Sequence, residues 1–493
     1  MVLLSSLLEG IELNSISRIE GLAIKGIKYD SRQVTKDDLF VAIRGFKTDG
    51  HKYIEKAIAN GACAVVIEDA AYRSDRYPWL LVNSSREVLA DLSAAFNDHP
   101  SREFLLIGVT GTNGKTTTTN LIAKVLEDQG HKVGLIGTIH NRIGNKIIPV
   151  ERTTPESLDL QQLFKEMVEN KVDSVIMEVS SHALDLHRVR GSDFDVAVFT
   201  NLTQDHLDYH HTMEKYYQAK AALFTRLLGS KSPKAREKLA VINGDDPWGQ
   251  KLLKDTKVKT VTYGINSTVD FKAEDIQIAS TGVSYSVNDS LVQLQLTGKF
   301  NVYNSLAALA VVANLGIPLQ AAAQSLKQMA VSGRFQLVEG TDDFAVIVDY
   351  AHTPDSLINI LATAQEFVQG RIITVFGCGG DRDRTKRPIM GKAAAQYSDF
   401  CIVTSDNPRS EEPERIIGDI LPGLQEISTQ EKYKVVIDRK KAIEEALNMA
   451  DRGDIVIIAG KGHETYQEIK GQKYPFDDKE VAEEILKVLS KKV

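Results

Sequence analysis

The sequence predicts an α/β fold divided into three domains. A length of 493 residues corresponds to roughly three domains of the usual ~150 residues each. Short apolar runs typical of buried strands alternate with helical patterns along most of the chain, which favours mostly parallel sheets. One of these runs passes through a glycine-rich loop directly into a helix, an arrangement typical of phosphate-binding sites.

The glycine-rich loop has the sequence Gly108-Val109-Thr110-Gly111-Thr112-Asn113-Gly114-Lys115-Thr116-Thr117. The apolar run from Phe104 to Val109 predicts a buried strand before it, and residues 118–129 have the apolar spacing of a helix. Glycines in such a loop let backbone N–H groups surround phosphate oxygens, and the helix start adds partial positive charge.

Two side chains make this loop more specific than a simple turn. Lys115 is placed to reach the outer phosphates of a nucleotide, and Thr116 would put its hydroxyl on Mg²⁺. The strict pattern requires glycine where this chain has Val109, and Gly108 and Gly111 lie near that position instead. Since a tight strand-to-helix turn does not need Lys115 and Thr116, we interpret the segment as a nucleotide site.

The composition narrows the class of protein. A net charge of -7 disfavours a nucleic-acid partner, because nucleic-acid surfaces normally carry clustered positive charge. Cys63, Cys378 and Cys401 are far apart and predict neither a metal site nor a disulfide framework. No apolar run approaches the ~20 residues of a membrane helix, and Met1 to Gly10 lacks the basic leader of a signal peptide. We therefore expect a soluble, cytoplasmic protein, and we separately expect it to be a monomer.

Residues 1–98 are predicted to form the first domain. Strands are predicted at Ile24–Tyr29, Asp38–Ile43 and Ala64–Glu68, with a short helix from His51 to Asn60. The polar turn Asp30-Ser31-Arg32, taken alone, is typical of a capped turn rather than a ligand site. His99-Pro100-Ser101 interrupts the pattern and marks the predicted boundary.

Residues 99–332 are predicted to form the central domain around the phosphate loop. Glu178 ends a predicted strand, and acids at the carboxyl ends of parallel strands lie where α/β sheets bind ligands, so Glu178 is a candidate Mg²⁺ ligand. The segment from Asn201 to His211 concentrates His and Asp, which suits a divalent cation, although a polar surface loop has a similar composition. Lys220, in a predicted helix from Tyr216 to Phe224, would by default be a surface lysine.

The pattern changes twice in the second half of the chain. Residues 265–297 alternate with period two and predict a small antiparallel insertion, followed by an alanine-rich helix that ends at Asn314. A new α/β unit begins near Ser332 and is predicted to occupy residues 333–493. Its strands are predicted at Ala345–Tyr350, Arg371–Phe376, Phe400–Thr404 and Ile455–Ala459, and its closing helix at Lys479–Leu489. Charged loops follow three of these strands and indicate a second site.

Together these motifs resemble the ATP-dependent Mur ligases of bacterial cell-wall synthesis. The resemblance extends over essentially the whole chain and is most specific at Gly111–Thr116, Glu178–His182, Asn201–Asp208, Ala219-Lys220, Asp349–Pro354 and Asp406–Arg409. It implies a UDP-binding N-terminal domain, a central Mg-ATP-binding ligase domain and a C-terminal Rossmann-like domain for the incoming amino acid.

The resemblance also implies roles for individual residues. ATP would be bound by Gly111, Thr112, Asn113, Gly114, Lys115, Thr116, Thr117, Asn304, Arg334 and Asp349. The UDP-linked substrate would be bound by Ser31, Thr153, Thr154, Ser180 and Arg188. The amino acid would be bound by Arg382, Asp406, Asn407, Arg409, Gly460 and Glu464. Leu186 stands where some relatives carry glutamine, so we assign no contact to it.

A metal site and a modified lysine follow from the same resemblance. Mg²⁺ would be held by Thr116, Glu178, His206 and a carbamylated Lys220, that is, N6-carboxylysine. A carbamate converts a cation into an anion that is able to hold a metal. Lys115, Lys220 and His206 are the implied catalytic residues.

The implied reaction adds an amino acid to UDP-N-acetylmuramoyl-L-alanyl-D-glutamate. A carboxylate is a poor electrophile, so it would first take the γ-phosphate of ATP and become an acyl phosphate, which the amine then attacks. The sequence from Asp406 to Arg409 matches relatives that add meso-diaminopimelate, whose far carboxylate can pair with Arg409 through two hydrogen bonds. Lysine would leave this arginine unpaired, which discriminates against lysine.

Four other functions are weighed against this one. A lysine-adding ligase of the same family is disfavoured by Arg409, and a folylpolyglutamate synthetase is not expected to carry the sequence from Asp406 to Arg409. A phosphate-loop kinase or nucleotide switch explains Lys115 and Thr116 but gives Lys220 no role. A binding or scaffold protein explains none of these residues.

Overall fold

The computed structural model describes residues 1–45, 48–150, 152–228, 236–279, 282–327, 329, 331, 333–341 and 343–489. These residues form three large sheets and several small ones, with helices packed on the sheet faces. The predicted α/β class with mostly parallel sheets is confirmed. Ser332, where we predicted the start of the last unit, lies outside the described residues.

The N-terminal unit is a five-stranded sheet with a small two-stranded sheet beside it. Its elements are β1 (Val2–Leu3), α1 (Leu4–Leu7), β2 (Ser15–Ser17), β3 (Ala23–Ile24), β4 (Gly26–Lys28), β5 (Asp38–Val41), α2 (Ile54–Ala59), β6 (Ala62–Ile67), β7 (Trp79–Leu81) and α3 (Ser85–Phe96). The sheet order is β2-β7-β6-β5-β4, and only β2 runs antiparallel to its neighbour.

The central unit contains a nine-stranded sheet. Its elements are β8 (Leu105–Thr110), α4 (Lys115–Asp128), β9 (Val133–Ile136), β10 (Asn141–Ile143), β11 (Lys146–Ile148), α5 (Ser157–Glu169), β12 (Ser174–Glu178), α6 (Ser181–Asp185), β13 (Val196–Phe199), α7 (Leu207–His210), α8 (Met213–Ala222), β14 (Leu239–Asn243), α9 (Pro247–Asp255), β15 (Lys259–Gly264), β16 (Phe271–Lys272), β17 (Glu274–Ala279), β18 (Gly282–Val287), β19 (Ser290–Leu294), α10 (Lys299–Asn314) and α11 (Leu319–Leu326). The order is β11-β10-β9-β12-β8-β13-β14-β15-β16, and β17, β18 and β19 form the predicted antiparallel insertion.

The C-terminal unit contains a six-stranded sheet. Its elements are β20 (Gln336–Leu337), β21 (Ala345–Asp349), α12 (Pro354–Gln365), β22 (Ile372–Phe376), α13 (Lys386–Tyr397), β23 (Phe400–Val403), α14 (Pro413–Gln425), β24 (Tyr433–Val435), α15 (Arg439–Met449), β25 (Ile455–Ala459), β26 (Tyr466–Ile469), β27 (Gln472–Pro475) and α16 (Asp478–Leu489). The order is β20-β21-β25-β22-β23-β24, with β26 and β27 as a separate hairpin.

Strand β8 lies in the middle of the central sheet and is buried along its whole length. Its residues Leu105, Ile107 and Val109 pack into the apolar layer that includes α4 and α10. Leu106 faces the opposite layer, which includes α5 and α8. Because helices cover both faces of the sheet, the strand is a continuous apolar run rather than an alternating one.

The neighbours of β8 place the phosphate loop at a functional edge of the sheet. Parallel strands β12 and β13 flank β8, and Glu178 at the end of β12 lies in register with Val109. The loop therefore opens at the carboxyl ends of three adjacent parallel strands, which is where α/β sheets bind ligands.

Two predicted elements differ in the structure. The predicted strand Ile24–Tyr29 is two short strands in different sheets, because β3 pairs with β1 whereas β4 pairs with β5. The helix predicted at residues 118–129 begins earlier, at Lys115, directly after Gly114. This earlier start makes the backbone of Lys115 and Thr116 part of the helix N-terminus.

No helix among the described residues is long and apolar enough to cross a membrane. The described cysteines Cys63, Cys378 and Cys401 are all unpaired thiols.

A buried ion pair fixes the last helix to the C-terminal unit and gives a test of the fold. Arg439 on α15 and Asp478 on α16 are fully buried and form two hydrogen bonds of 2.7 Å. We expect Asp478→Asn to lower the free energy of unfolding of this unit by about 3–5 kcal/mol, because the guanidinium would stay buried without its counter-ion. Native-state hydrogen exchange of α15 and α16 measures this loss.

The matched control is a surface pair between the same two helices. Lys440 and Glu484 are both more than half exposed, with their charged atoms 3.1 Å apart. Glu484→Gln should therefore change the free energy of unfolding by no more than about 1 kcal/mol. Equal losses for the two variants would contradict the role that we assign to the buried pair.

Candidate active site

One cleft between the central and C-terminal units brings together most of the predicted site residues. The predicted residues that line it are Thr112, Asn113, Gly114, Lys115, Thr116, Thr153, Glu178, Ser180, His206, Arg334, Arg382, Asp406, Asn407, Arg409, Gly460 and Glu464. These residues come from segments more than 300 positions apart in the sequence. The structure thus joins the phosphate loop and the three charged strand-end loops of the C-terminal unit in one site.

Two glycines of the phosphate loop are required by close contacts. A Cβ atom on Gly114, whose φ is +84°, would lie 2.2 Å from Oδ1 of Asn304. A Cβ on Gly111 would lie 1.8 Å from the hydroxyl of Thr200. Gly108 lies inside β8, where a Cβ would approach the Phe194 ring to 2.6 Å, so this glycine serves packing rather than phosphate binding.

Lys115 and Lys220 donate to the same backbone oxygen. The Lys115 ammonium lies 3.0 Å from the carbonyl of Gly111 and 2.8 Å from that of Thr112. The Lys220 ammonium lies 2.7 Å from the carbonyl of Gly111 and above the ring of Tyr216. Burial and the neighbouring charge of Lys115 hold the pKa of Lys220 well below its ordinary value.

Lys220 is not the surface lysine that its helix pattern alone indicated. Only 1% of the residue is exposed, and it lies under the phosphate loop. The α8 pattern could not show this because the loop that covers Lys220 is more than 100 residues away in the sequence.

Thr116 and Glu178 form a pair of oxygen donors next to the phosphate loop. The Thr116 hydroxyl donates to Oε1 of Glu178 at 3.0 Å and accepts a hydrogen bond from Arg334 at 3.1 Å. The carboxylate of Glu178 is held in place by Thr138, through its backbone N–H at 2.8 Å and its hydroxyl at 3.0 Å.

These donors fit Mg²⁺, which prefers hard oxygen ligands and normally keeps several waters or substrate phosphates. No group of three or more His, Cys, Asp or Glu side chains among the described residues is placed to enclose a metal without other ligands. The residues present therefore suit a metal that the substrates help to hold.

His206 lies at the same edge of the sheet, beside an acid that the sequence prediction did not include. Nε2 of His206 lies 3.3 Å from Oδ2 of Asp205, and its ring makes an edge contact with His182. Burial lowers the pKa of His206 to about 3, although Asp205 opposes the shift. At neutral pH the imidazole is therefore uncharged and has a nitrogen lone pair available as a ligand.

A second cavity adjoins the cleft on the other side of the phosphate loop. The two share three lining residues, which are Asn113, Gly114 and Arg334. The second cavity is also lined by Thr117, Asn304 and Asp349. Its apolar walls are Phe300, Tyr303 and Ile360, and its polar rim includes Asn243 and Asp245. A cavity that combines aromatic and apolar walls with hydrogen-bonding side chains suits a nucleobase.

Asp349 and Arg334 connect this cavity to the C-terminal unit. Oδ2 of Asp349 accepts a hydrogen bond of 2.6 Å from the backbone N–H of Phe335. Burial raises the pKa of Asp349 to about 6, and the charge of Arg334 limits that rise. Arg334 thus reaches from the C-terminal unit to Thr116 in the central unit.

The end of the cleft where we predicted the amino-acid contacts, called the amino-acid end below, contains an acid with an unused oxygen. Oδ1 of Asp406 accepts from the backbone of Asn407, whereas Oδ2 is buried and has no hydrogen-bond partner among the described residues. A Cβ on Gly460 would lie 2.5 Å from that oxygen, so only glycine leaves the space open. A buried carboxylate oxygen without a donor indicates a missing cationic or N–H partner.

A lysine that we did not predict holds two of the predicted amino-acid contacts. Lys461 is fully buried, and its ammonium lies 3.1 Å from both Oδ1 of Asn407 and Oε2 of Glu464. Asn407 also donates to Glu464 at 2.7 Å. These bonds fix the Glu464 carboxylate at the edge of the cleft.

Arg409 is held at the same end of the cleft. Its Nη1 donates to the carbonyl of Gly380 at 2.7 Å, and its Nε lies 3.3 Å from Glu468. A backbone bridge to Ile469 attaches Arg409 to the hairpin of β26 and β27. The guanidinium therefore has a fixed orientation and still borders the cleft.

The predicted contacts to the UDP-linked substrate are only partly brought together. Thr153 and Ser180 line the cleft, and Thr154 links to Ser180 through a hydrogen bond of 3.1 Å. Arg188 donates to the carbonyl of Thr154 at 3.3 Å but does not line the cleft. Ser31 is buried in the N-terminal unit and lies in neither cavity.

Several cleft residues were missed by the sequence prediction. They are Thr138, Asp205, Tyr350, His352, Asp383 and Lys386. Asp205, Asp383 and Lys386 lie in or next to loops that the sequence marked as charged, but nothing in the sequence shows which of their charges face the cleft.

The family models that match this chain follow one another along it. The model described as Mur ligase family, catalytic domain, matches residues 23–97. The Mur ligase middle domain matches residues 109–312, and the Mur ligase glutamate ligase domain matches residues 333–462.

Whole-chain comparisons agree with these matches. The chain is 47% identical to the UDP-N-acetylmuramoyl-L-alanyl-D-glutamate--2,6-diaminopimelate ligase of Caldanaerobacter subterraneus subsp. tengcongensis, over 98% of both chains. A solved structure of a protein of that same name has 34% identity and a TM-score of 0.69, over 98% of this chain and 99% of the other. The MurF ligase of Thermotoga maritima, solved in complex with ADP, shares the fold with a TM-score of 0.64 and 20% identity, over 96% of this chain and 100% of the other. The chain belongs to the Mur ligase family.

Proposed function

We propose that this protein is an ATP-dependent ligase that adds meso-2,6-diaminopimelate to UDP-N-acetylmuramoyl-L-alanyl-D-glutamate in peptidoglycan precursor synthesis. The observation that carries the proposal is that one cleft is lined by Lys115 of the phosphate loop, by Arg409 and by Asp406, whose oxygen Oδ2 has no partner among the described residues. The similarity at 47% identity to a ligase of this name supports the same substrates.

The proposed reaction has two chemical steps. A D-glutamyl carboxylate oxygen bonds to the γ-phosphorus of ATP, the bond from that phosphorus to the β–γ bridging oxygen breaks, and ADP leaves with the electron pair. The amine of diaminopimelate then attacks the acyl carbon of the acyl phosphate, and a C–N bond forms. Phosphate leaves with the electron pair of the C–O bond, and the nitrogen loses a proton.

Two anions must approach each other in the first step, so the site has to supply positive charge. Lys115 and the backbone N–H groups at the start of α4 provide it on the ATP side, and Arg334 provides it from the C-terminal unit. The adjoining cavity with Phe300 and Tyr303 would bind the adenine. ATP would therefore lie between the two units and hold them together.

Thr116, Glu178 and His206 would hold Mg²⁺, together with a carbamylated Lys220. Bound Mg²⁺ neutralises phosphate charge and orients the γ-phosphate. The neutral amine of Lys220, favoured by its burial under the loop, is the form that adds CO₂ and releases one proton to give the carbamate.

The far end of diaminopimelate carries a carboxylate and an ammonium, and the amino-acid end of the cleft offers a partner for each. Arg409 would pair with the carboxylate. Oδ2 of Asp406 and the fixed carboxylate of Glu464 would accept from the ammonium. Arg382 lines the same cleft and would bind the second carboxylate.

The remaining assignments are part of the same proposal. We propose the domain division 1–98, 99–332 and 333–493, supported by three separate large sheets. Ser31, Thr153, Thr154, Ser180 and Arg188 would contact the UDP-linked substrate. We further propose that the protein works as a monomer in the cytoplasm, where ATP and UDP-linked precursors are available.

The first test is phosphate release from ATP in the presence of the UDP-linked dipeptide. We expect rapid release with meso-diaminopimelate and at least about 100-fold slower release with lysine at equal concentration, because lysine has no far carboxylate to pair with Arg409. Phosphate release with lysine but not with meso-diaminopimelate would indicate a lysine-adding ligase. Release that needs no amino acid would indicate a kinase or nucleotide switch and would contradict the proposal.

The modification of Lys220 can be tested by chemical rescue. We expect Lys220→Ala to lower kcat by about 100-fold or more, and formate or acetate to restore part of it by replacing the carbamate anion. Lys215→Ala, an exposed lysine on the same helix, should have nearly normal activity. Rescue by methylamine instead of acetate would show that Lys220 acts as a cation.

The role of Arg409 can be tested by comparing substrates. We expect Arg409→Ala to raise the KM for diaminopimelate by about 10- to 100-fold, the effect of losing a charged hydrogen bond of about 1.5–3 kcal/mol. The KM for ATP should change by less than about threefold. Arg415→Ala, an exposed arginine on α14, serves as the control. Equal effects on both KM values would point to a general defect of the fold.

A further inference from the structure

The cleft contains a lysine, Lys386, to which the proposed function assigns no role. It is the first residue of α13 in the C-terminal unit, and only 7% of its side chain is exposed. It lines the cleft together with Lys115 and Arg334. Burial of a lysine at this level is uncommon unless its ammonium has partners.

The ammonium of Lys386 lacks the partners that its burial requires. Nζ lies 3.7 Å from Oδ1 of Asp205 in the central unit, which is an ion pair but longer than a hydrogen bond. No described residue accepts a hydrogen bond from Nζ. An ammonium has three N–H donors, so this group faces the cleft with its donors unused. A buried cation in this state indicates an anionic ligand.

The position of Asp205 shows which anion is within reach. The Asp205 carboxylate accepts a hydrogen bond from the backbone of His206 at 3.0 Å and lies close enough to act electrostatically on Lys115. Lys386 therefore shares an acidic neighbour with the lysine of the phosphate loop. Lys115 and Lys386 also line the same cleft, so we expect an anion bound at Lys115 on the cleft side to be within reach of Lys386.

The amino-acid end of the cleft is less suitable as the target of Lys386. At that end, Asn407 donates hydrogen bonds to Asp406 and Glu464, and Lys461 donates to Asn407 and Glu464. Lys386 takes part in none of these bonds. Thr385, which precedes it, lies beside Gln204 of the central unit at 3.5 Å. The start of α13 thus faces the loop that carries Asp205 and His206.

We propose that Lys386 is a further catalytic residue, which donates hydrogen bonds to the phosphoryl group while it passes from ATP to the D-glutamyl carboxylate. Asp205 holds the ammonium in place before the phosphates arrive. Lys386 keeps its protons throughout, because the bonds that form and break are those of the γ-phosphorus. The inference rests on the proposed ligase function and adds a cation that only the C-terminal unit can deliver.

The position of Lys386 explains why the two units must be in contact during phosphoryl transfer. Lys115 belongs to the central unit and is present in every arrangement of the units. Lys386 reaches the same region only when α13 packs against the loop at Asp205. Charge stabilisation is then complete only in the closed arrangement, which protects ATP from reacting with water before that.

The test compares Lys386→Met with Lys392→Met on the same helix. Lys392 forms a surface ion pair with Glu426 and is half exposed, so its replacement should leave kcat within about twofold. We expect Lys386→Met to lower kcat by about 100-fold, as for the loss of a transition-state hydrogen bond. The KM values for ATP and for diaminopimelate should change by less than about threefold. Lys386→Arg should recover part of the rate.

A rapid-quench measurement locates the affected step. With all substrates saturating, ADP formation in the first turnover should slow by the same factor as kcat in Lys386→Met. A normal ADP burst followed by slow turnover would overturn the proposal. A raised KM for diaminopimelate with normal kcat would also overturn it, since Lys386 would then belong to the amino-acid end of the cleft.

Two controls keep the outcomes separate. Thermal unfolding of Lys386→Met and Lys386→Gln shows whether either variant folds, and normal activity in whichever variant folds would overturn the proposal. Failure of the proposed function would give a different result, because the protein without any substitution would then show no phosphate release that depends on an amino acid.

Discussion

The active site depends on positive charge held at the carboxyl end of β8. Lys115 and Lys220 both donate to the carbonyl of Gly111, so two amines lie a few ångströms apart beneath a loop made for phosphates. Two charged ammonium groups would repel each other there, and burial adds to the cost of keeping both charged. The arrangement is stable if one of them is neutral or converted to an anion. Burial and the charge of Lys115 lower the pKa of Lys220 well below its ordinary value, so Lys220 is the one that the surroundings disfavour as a cation, even though the face of the Tyr216 ring attracts an ammonium.

The C-terminal unit completes the site through a small number of polar contacts. Arg334 donates to Thr116 at 3.1 Å, and Asn113 of the phosphate loop donates to Asp355 of α12 at 2.7 Å. Both contacts involve residues that also border the nucleotide cavity. Because ATP would touch the same groups, nucleotide binding and packing of the two units are energetically coupled. The charge that the reaction needs is therefore shared between two units rather than built into one.

Sequence patterns predicted those parts of the protein whose chemistry is local. The succession of strand, glycine loop and helix around Lys115 was predicted, although the helix begins three residues earlier than predicted, since glycine, lysine and threonine are close together in the chain and act together. The antiparallel insertion was also predicted, because a period of two is a local property. The burial of Lys220 and the contact of Lys386 with Asp205 were not predictable, since both depend on segments that meet only after folding. The roles of individual site residues came from the family resemblance and stay predictions.

Charge balance accounts for the selectivity that we propose for the amino-acid end of the cleft. Arg439 is neutralised by Asp478, and Lys461 is bonded to Glu464, so each buried cation already has an acid. Asp406 is left as a carboxylate without a cation of its own and with one oxygen unbonded among the described residues. The charges of Lys461 and Arg439 nevertheless keep its pKa below the ordinary value despite burial.

A carboxylate that stays ionised and unpaired in a buried site attracts an ammonium group, and Arg409 nearby attracts a carboxylate. In the proposed complex, a ligand end with both groups would use both partners, whereas a ligand with only the ammonium would leave Arg409 without a ligand contact.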